Sequence, residues 1–364
     1  MRTHVFIVDD NTFPVHLKYL FAGTGAKDRD MHIGLLSDIK RVRPNDLVIF
    51  YIEATEKIKG GFYGIFRIAE QNPIVFHTPN KSGFVPNLQK KLIYRTLIEP
   101  YEVYSNGVPE WEVLDKLPIY ATELQWSLIY RKLKAKRGYT PLLPWESEKL
   151  INMIRNKNSG KILANSEFLG GFDFDKTNRK ITTMESKNIY PHPRNFDFKV
   201  LDSIYNLQKR RRAYEVNLQL YFTENIGFNN NLNFIVGENV VWFGNEVYCG
   251  VAMKKIDILT ICQDIEKKEY RLIELKDEPI KADIIEQIEY YINWASQDSG
   301  RHLESAFNWN IQPVIVAPQH KPKNWKSIVD AFKNFNNKQV SLPILYFEFK
   351  IESENSIIFN KINY

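Results

Sequence analysis

Between Lys255 and Lys276 runs KIDILTICQDIEKKEYRLIELK, and the residues of this chain whose types and spacing best suit chemistry lie in it. Ile256–Cys262 is apolar and β-rich, Gln263–Lys268 is polar, and Tyr270–Leu275 is apolar again, which spells a β-hairpin. With the turn centred between Ile265 and Glu266, Asp257 falls opposite Glu274. Lys276, two residues beyond Glu274, shares that face because strand side chains alternate. Two carboxylates and an ammonium thus converge at one end of a hairpin whose other positions are mostly apolar. Charge clustered at a strand end is costly unless it binds something, and a divalent metal is the natural occupant.

The elements that must position these groups flank the hairpin. Downstream, PIKADIIEQIEYYINWAS places Ile284, Ile285, Ile288, Tyr291, Ile292 and Ala295 at helical spacing. Gln287 and Tyr291 are four apart and so share a helix face. Upstream, FKVLDSIYNLQKRRRAYEVNLQLYFTENI reads as helical, with a basic knot at Lys209, Arg210, Arg211 and Arg212 and a single acid, Glu215, in Ala213–Phe222. The stretch NLNFIVGENVVWFGNEVYCG reads as β-strands leading to Asp257, and QPVIVAP and LPILYFEFKIE supply further strands.

Asp, then Glu-x-Lys on the next strand, then Gln-x-x-x-Tyr on the following helix resembles the PD-(D/E)XK nuclease superfamily, in particular its RecB-like and NucS-like branches, over about residues 195–350. Two features depart from that pattern: Ile256 stands where many members have proline, and the acids Asp277 and Glu278 follow Lys276, although Asp277 points to the opposite strand face. The resemblance implies a restriction-endonuclease-like mixed sheet flanked by helices and a Mg²⁺ ion, replaceable by Mn²⁺, held by Asp257, Glu274 and the carbonyl of Leu275. It further implies Lys276 beside the attacking water, Glu215 completing the metal shell directly or through water, and Gln287 and Tyr291 fixing the strand end and the nucleotide backbone.

The first half begins with a β-like run at His4–Val8. A short helix at Ser37–Arg43, a Pro44-Asn45-Asp46 turn and a strand at Leu47–Ile52 follow, and Gly60-Gly61 then leads into the strand FYGIFRIAE. This order resembles the PUA superfamily of small β-barrels, especially its EVE and YTH branch, over roughly residues 1–155. That resemblance implies a cleft that takes a flipped, often modified, base into an aromatic cage. Trp111, Trp126 and Trp145 are the tryptophans of this half, each of them equally at home in a core. Trp126 is the preferred cage residue because a basic stretch follows it: Arg131, Lys132, Lys134, Lys136 and Arg137, with no acid among them. Such a run tracks phosphates or simply solvates a helix face.

Asn156–Gly160, Gly170-Gly171 and the prolines at 191 and 193 read as loop, with FDFDKTNRKITTM between them able to add strands of its own. The expected organisation is therefore a base-reading domain at 1–160, a linker at 161–194 and a nuclease domain at 195–364, an α+β chain throughout. At 364 residues the chain is long enough for two cores, and a formal charge of +6 permits a nucleic-acid partner without establishing one. Two cysteines, Cys249 and Cys262, exclude a disulfide framework and a cysteine zinc site. No apolar run approaches membrane-spanning length and the start lacks the apolar core of a signal peptide, so the expected location is cytoplasmic.

These readings converge on an Mg²⁺-dependent endonuclease acting on double-stranded DNA, of the restriction type, with its first domain reading a modified or flipped base. A single Asp…Glu-x-Lys set cuts one strand, so double-strand breaks call for a homodimer. The competing readings are a NucS-like mismatch-repair nuclease and a non-catalytic nucleic-acid-binding protein.

Overall fold

The computed structural model describes residues 2–25, 31–78, 92–115, 138–249, 254–265, 267–302, 308–335 and 341–364. The chain is mixed α+β and divides into two compact units, Met1–Asp197 and Phe198–Tyr364.

The first unit runs β1 (Thr3–Val8), α1 (Phe13–Tyr19), β2 (Phe21–Thr24), α2 (Ile33–Ile39), β3 (Leu47–Ile52), β4 (Gly61–Ile68), β5 (Phe76–His77), β6 (Tyr94–Pro100), β7 (Glu102–Val103), β8 (Val108–Pro109), α3 (Glu110–Asp115), β9 (Tyr139–Leu142), α4 (Pro144–Lys157), β10 (Ala164–Asn165), β11 (Gly171–Asp175) and β12 (Lys180–Met184). Its main sheet curls into a half-barrel in the order β2-β6-β4-β3-β1-β9, with β5 paired to β6 and β8 to β4. THVFIV and LVIFYI are apolar without strict alternation, as strands covered on both faces must be, and they pair in parallel with Val5 beside Ile49. Helix α2 begins four residues before the expected Ser37, because His32 accepts the Leu35 N–H at 3.2 Å and nucleates the first turn there.

The segment read as a linker at 161–194 is instead built into this unit. β10 pairs with β7, and β11 and β12 form a hairpin. Phe172 and Phe174 on β11 are buried, with Phe172 edge-on to Phe66 at 5.6 Å and Phe174 edge-on to Phe13 at 5.0 Å and to Tyr63 at 5.2 Å. The alternation in Gly-Phe-Asp-Phe-Asp is a half-buried strand signal, and FDFDKTNRKITTM supplies the strands it allowed, as part of this unit and not of a linker.

The second unit runs α5 (Val200–Lys209), α6 (Glu215–Asn225), α7 (Asn233–Val236), β13 (Val240–Cys249), β14 (Lys254–Gln263), β15 (Lys267–Leu275), α8 (Ile284–His302), β16 (Asn308–Pro318), α9 (Pro322–Asn334), β17 (Leu345–Ser353) and β18 (Ser356–Ile362). The sheet order is β13-β14-β15-β16-β17-β18. β13–β14–β15 is an antiparallel meander, β15, β16 and β17 are parallel, and β18 returns antiparallel. Each parallel step needs a crossover, and α8 and α9 supply them. The first part of NLNFIVGENV, read above as strand, is helical up to Val236, and the strand begins after Gly237, whose φ of 95° ends the turn. The long upstream helix is two: Arg210–Tyr214 breaks it, with Arg211 left-handed at φ 51°.

Candidate active site

The β14–β15 hairpin pairs Ile258 with Ile273 and Leu259 with Leu272. Extended by one residue, that register sets Asp257 opposite Glu274, the alignment expected from the turn. Both carboxylates are nearly sealed from solvent, Asp257 at 9% exposure and Glu274 at 1%. Buried carboxylates need donors, and each has them. Asp257 Oδ1 accepts from Gln219 Nε2 at 2.8 Å and Oδ2 from the Leu275 N–H at 2.8 Å. Glu274 Oε1 accepts from Lys276 Nζ and from Gln287 Nε2, the latter at 2.7 Å. The Tyr291 hydroxyl lies 3.1 Å from Glu274 Oε2 and 2.5 Å from the Lys255 carbonyl, while accepting from Gln287 Nε2.

Each contact follows from local structure. Gln287 and Tyr291 share one face of α8, one turn apart. Gln219 stands one turn after Glu215 on α6. Lys276 follows the last residue of β15, and its N–H donates to the Val316 carbonyl at 2.9 Å, so the strand end is tied to β16. Leu275 reaches Asp257 through its amide N–H.

Electrostatics set the character of the site. Burial pushes Asp257 well above the ordinary carboxylate range, and Glu274 and then Glu215 push it further. Burial also raises Glu274, opposed by Lys276 and by the hydrogen bonds from Lys276, Tyr291 and Gln287. Glu215, half-buried, is raised by burial, while Lys276 opposes and Asp277 and Glu274 add to it. For Lys276, burial acts downward, but Glu274, Asp257 and Glu215 together carry the ammonium above its usual value. Three carboxylates thus face one ammonium. Formally two negative charges are left over in a low-dielectric pocket, the situation a divalent cation relieves.

Among the described residues no three His, Cys, Asp or Glu side chains stand in the geometry to hold an ion by themselves. Glu215 acts on the pair electrostatically, and of the two roles the resemblance implies for it, this placement suits the one through water. Mg²⁺ asks for less: it keeps several waters and takes one or two carboxylates. Each carboxylate oxygen has two lone-pair directions, so the hydrogen bonds above leave acceptor capacity on both Asp257 oxygens and on Glu274 Oε2. Asp257, Glu274 and the Leu275 carbonyl fit a partly hydrated Mg²⁺ and do not fit an all-carboxylate cage.

The structure therefore joins Asp257, Glu274, Leu275, Lys276, Gln287 and Tyr291 in one network, with Glu215 beside it. Lys209–Arg212 is exposed at the end of α5, three residues before Glu215. Trp126 and Arg131, Lys132, Lys134, Lys136 and Arg137 lie outside the described residues. Trp111 is 52% exposed on α3.

Two members of the site were not read from the sequence. Gln219 was findable, since it lies four residues after Glu215 on the same helix. Asp277 was not: its Oδ2 accepts the N–H groups of Tyr214 at 2.7 Å and Glu215 at 3.3 Å, capping α6 from a distant strand end. A cap supplied from 62 residues away has no sequence signature.

No family model matches the chain, and no curated protein matches it. Among solved structures, the chain is similar to a hypothetical protein from Leishmania major (TM-score 0.30, 12% identity, covering 43% of this chain and 96% of that one). It is also similar to human THYN1, solved in complex with 5-methylcytosine-containing DNA (TM-score 0.30, 10% identity, covering 42% and 97%). A third is a protein from Pseudomonas putida (TM-score 0.27, 12% identity, covering 42% and 98%).

Proposed function

We propose that the chain is an Mg²⁺-dependent DNA endonuclease whose reaction centre is the Asp257–Glu274–Lys276 cluster. The observation that carries this reading is the buried pair of carboxylates, facing each other across one hairpin, with a single ammonium for three acids. When bound, Mg²⁺ supplies polarisation of the phosphoryl oxygen and a water of lowered pKa. Asp257 and Glu274 would hold it, oriented by Gln219 on one side and by Gln287 and Tyr291 on the other. Lys276, kept charged by its acidic neighbours, is placed to donate hydrogen bonds to the extra negative charge of the pentavalent phosphorus and not to remove a proton. The exposed Lys209–Arg212 turn offers cations to the phosphate backbone next to the site.

For the first unit we infer base reading: its strand and turn order supports a small nucleic-acid-binding barrel, with Trp126 and the Arg131–Arg137 run as the residues to examine. Together the two roles make a restriction-type enzyme that cuts DNA bearing a modified base. A mismatch-repair nuclease differs only in what the first unit senses. Incubating modified, unmodified and mismatched duplexes with Mg²⁺, Mn²⁺ or chelator separates them. Cleavage should require the metal and vanish in Asp257→Ala, Glu274→Ala and Lys276→Ala, with DNA binding kept. Undiminished cleavage by any two of these variants would overturn the assignment.

A further inference from the structure

The parallel strands β15, β16 and β17 end on the same side of the sheet, and substrates of open α/β sheets bind outside such carboxyl ends. The register there is fixed. Leu275 pairs with Val316 and Val316 with Phe347, and the next row continues through Ala317 to Glu348. Lys276, one residue past Leu275, begins that next row. Glu348 therefore stands two strand spacings from Lys276, roughly 10 Å, on the face that carries Glu274 and Lys276.

Glu348 is 8% exposed and holds a histidine. Its Oε1 accepts the His320 N–H at 2.9 Å, the His320 Nδ1–H and the Tyr346 hydroxyl, the last at 3.0 Å. The imidazole also stacks on Trp325, centroids 4.1 Å apart and planes at 23°. Main chain, ring nitrogen and ring face are thus all fixed, while 21% of the side chain stays open to solvent. A carboxylate only accepts, so Nδ1 carries hydrogen, and Nε2 is the ring nitrogen that makes no hydrogen bond among the described residues. Around it, residues 318–329 contain Lys321, Lys323 and Lys326, all exposed, and no acid. None of these contacts involves Asp257, Glu274 or Lys276.

We propose that His320, oriented by Glu348 and Trp325, grips a backbone phosphate of the bound DNA strand, within about two nucleotides of the phosphate at Lys276. In that pose Nδ1–H donates to the Glu348 carboxylate and Nε2–H donates to the phosphate oxygen. This deepens the nuclease reading, naming a residue that holds the substrate strand, and depends on it only for where the cut falls.

The test uses the full chain and short duplexes carrying a single uncharged methylphosphonate, moved one phosphate at a time, with affinity measured in chelator. His320→Asn keeps a donor where Nδ1 stands and loses the one at Nε2; His320→Gln reaches Nε2 and abandons Nδ1. We expect the wild type to lose about tenfold in affinity at one phosphate, the worth of one charge-assisted hydrogen bond. His320→Asn should show that loss on unmodified DNA and be indifferent to the methylphosphonate there, and His320→Gln should regain part of the sensitivity. Wild-type affinity in His320→Asn, or unchanged sensitivity at every phosphate, overturns the proposal, as does failure of the full chain to bind any duplex. Mg²⁺-dependent cutting of the unmodified duplex is read from the same preparations: coupling without cutting sinks the nuclease reading alone, and cutting without coupling sinks this proposal alone.

Discussion

Asp257 is the residue on which stability and chemistry disagree. Its folded-state pKa lies well above that of an exposed aspartate, because burial and two neighbouring carboxylates disfavour the charge. The folded form therefore holds its proton where the unfolded chain, with its ordinary value near 4, has released it. That contribution is complete at low pH and is lost as pH rises through the folded-state value. In chelator, the melting temperature of the wild type relative to Asp257→Asn should fall as pH rises above about 4. That comparison cancels the opposite contribution of the buried His4 and His16, whose values burial lowers, and Mg²⁺ should restore more of the loss at higher pH than at lower. Asp257→Asn removes the charge at constant size. Gln219, whose amide can turn, then offers its oxygen to the new amide. This variant should be more stable than the wild type in chelator at pH 8, by about 1–2 kcal/mol, while losing cleavage and the stabilisation by Mg²⁺. Thermal melts across pH, with and without metal, check both. A wild-type profile that rises relative to that of Asp257→Asn would remove the basis for uncompensated carboxylate charge.

At the scale of elements, two helices and a hairpin meet at the site, and each is fastened by a residue that never touches substrate. Gln219 orients Asp257 from α6, so Gln219→Ala should lower cleavage about 10–100-fold, the usual effect of removing a group that positions a metal ligand. It should also cost about 1–3 kcal/mol of stability, because a buried carboxylate oxygen loses its donor. Asp277 caps α6 through two N–H groups. Asp277→Ala should cost about 1 kcal/mol and also slow cleavage, through the drift of Glu215 and Gln219; Asp277→Asn, which keeps an acceptor oxygen, should recover most of both. The hairpin itself was legible, because apolar alternation and a polar turn fix register locally, down to Asp257 facing Glu274. So was α8, from its 3.6-residue period. What could not be read were contacts between elements distant in sequence: the cap from Asp277, the strand end tied to Val316, the packing of Phe172 and Phe174 under the first unit's sheet. Residues 161–194 were misread for the same reason. Their glycines and prolines mark local turns truthfully, but whether a turn-rich segment is linker or structure depends on a partner surface supplied by other parts of the chain.

At the scale of the molecule, two units with separate cores suggest separable duties. A fragment of residues 198–364 should melt cooperatively and nick duplex DNA in the presence of Mg²⁺, without the site preference of the full chain. Gel-based cleavage of the fragment and the full chain, side by side, checks this. Loss of all activity in a folded fragment would mean that the first unit contributes to the reaction itself. Because each chain holds one Asp257–Glu274 pair, double-strand breaks should vary as the square of enzyme concentration in the dilute range, with a nicked intermediate accumulating when dimers are scarce.

The sheet that carries the site also sets an order in time. Asp257 and Glu274 meet across a short turn, a closure of the kind completed in microseconds. The lock on Lys276 needs β16, which reaches its place only after the whole of α8 has crossed over, and β17 follows a second crossover; such long-range parallel pairing is slow. A refolding chain should therefore protect the amides of β14 and β15 well before it can cut DNA. In that interval the carboxylates are together without Gln287, Tyr291 or a fixed Lys276. Added Mg²⁺ should then act on the folding rate as well as on the final stability, accelerating the recovery of the wild type and leaving Asp257→Asn unaffected.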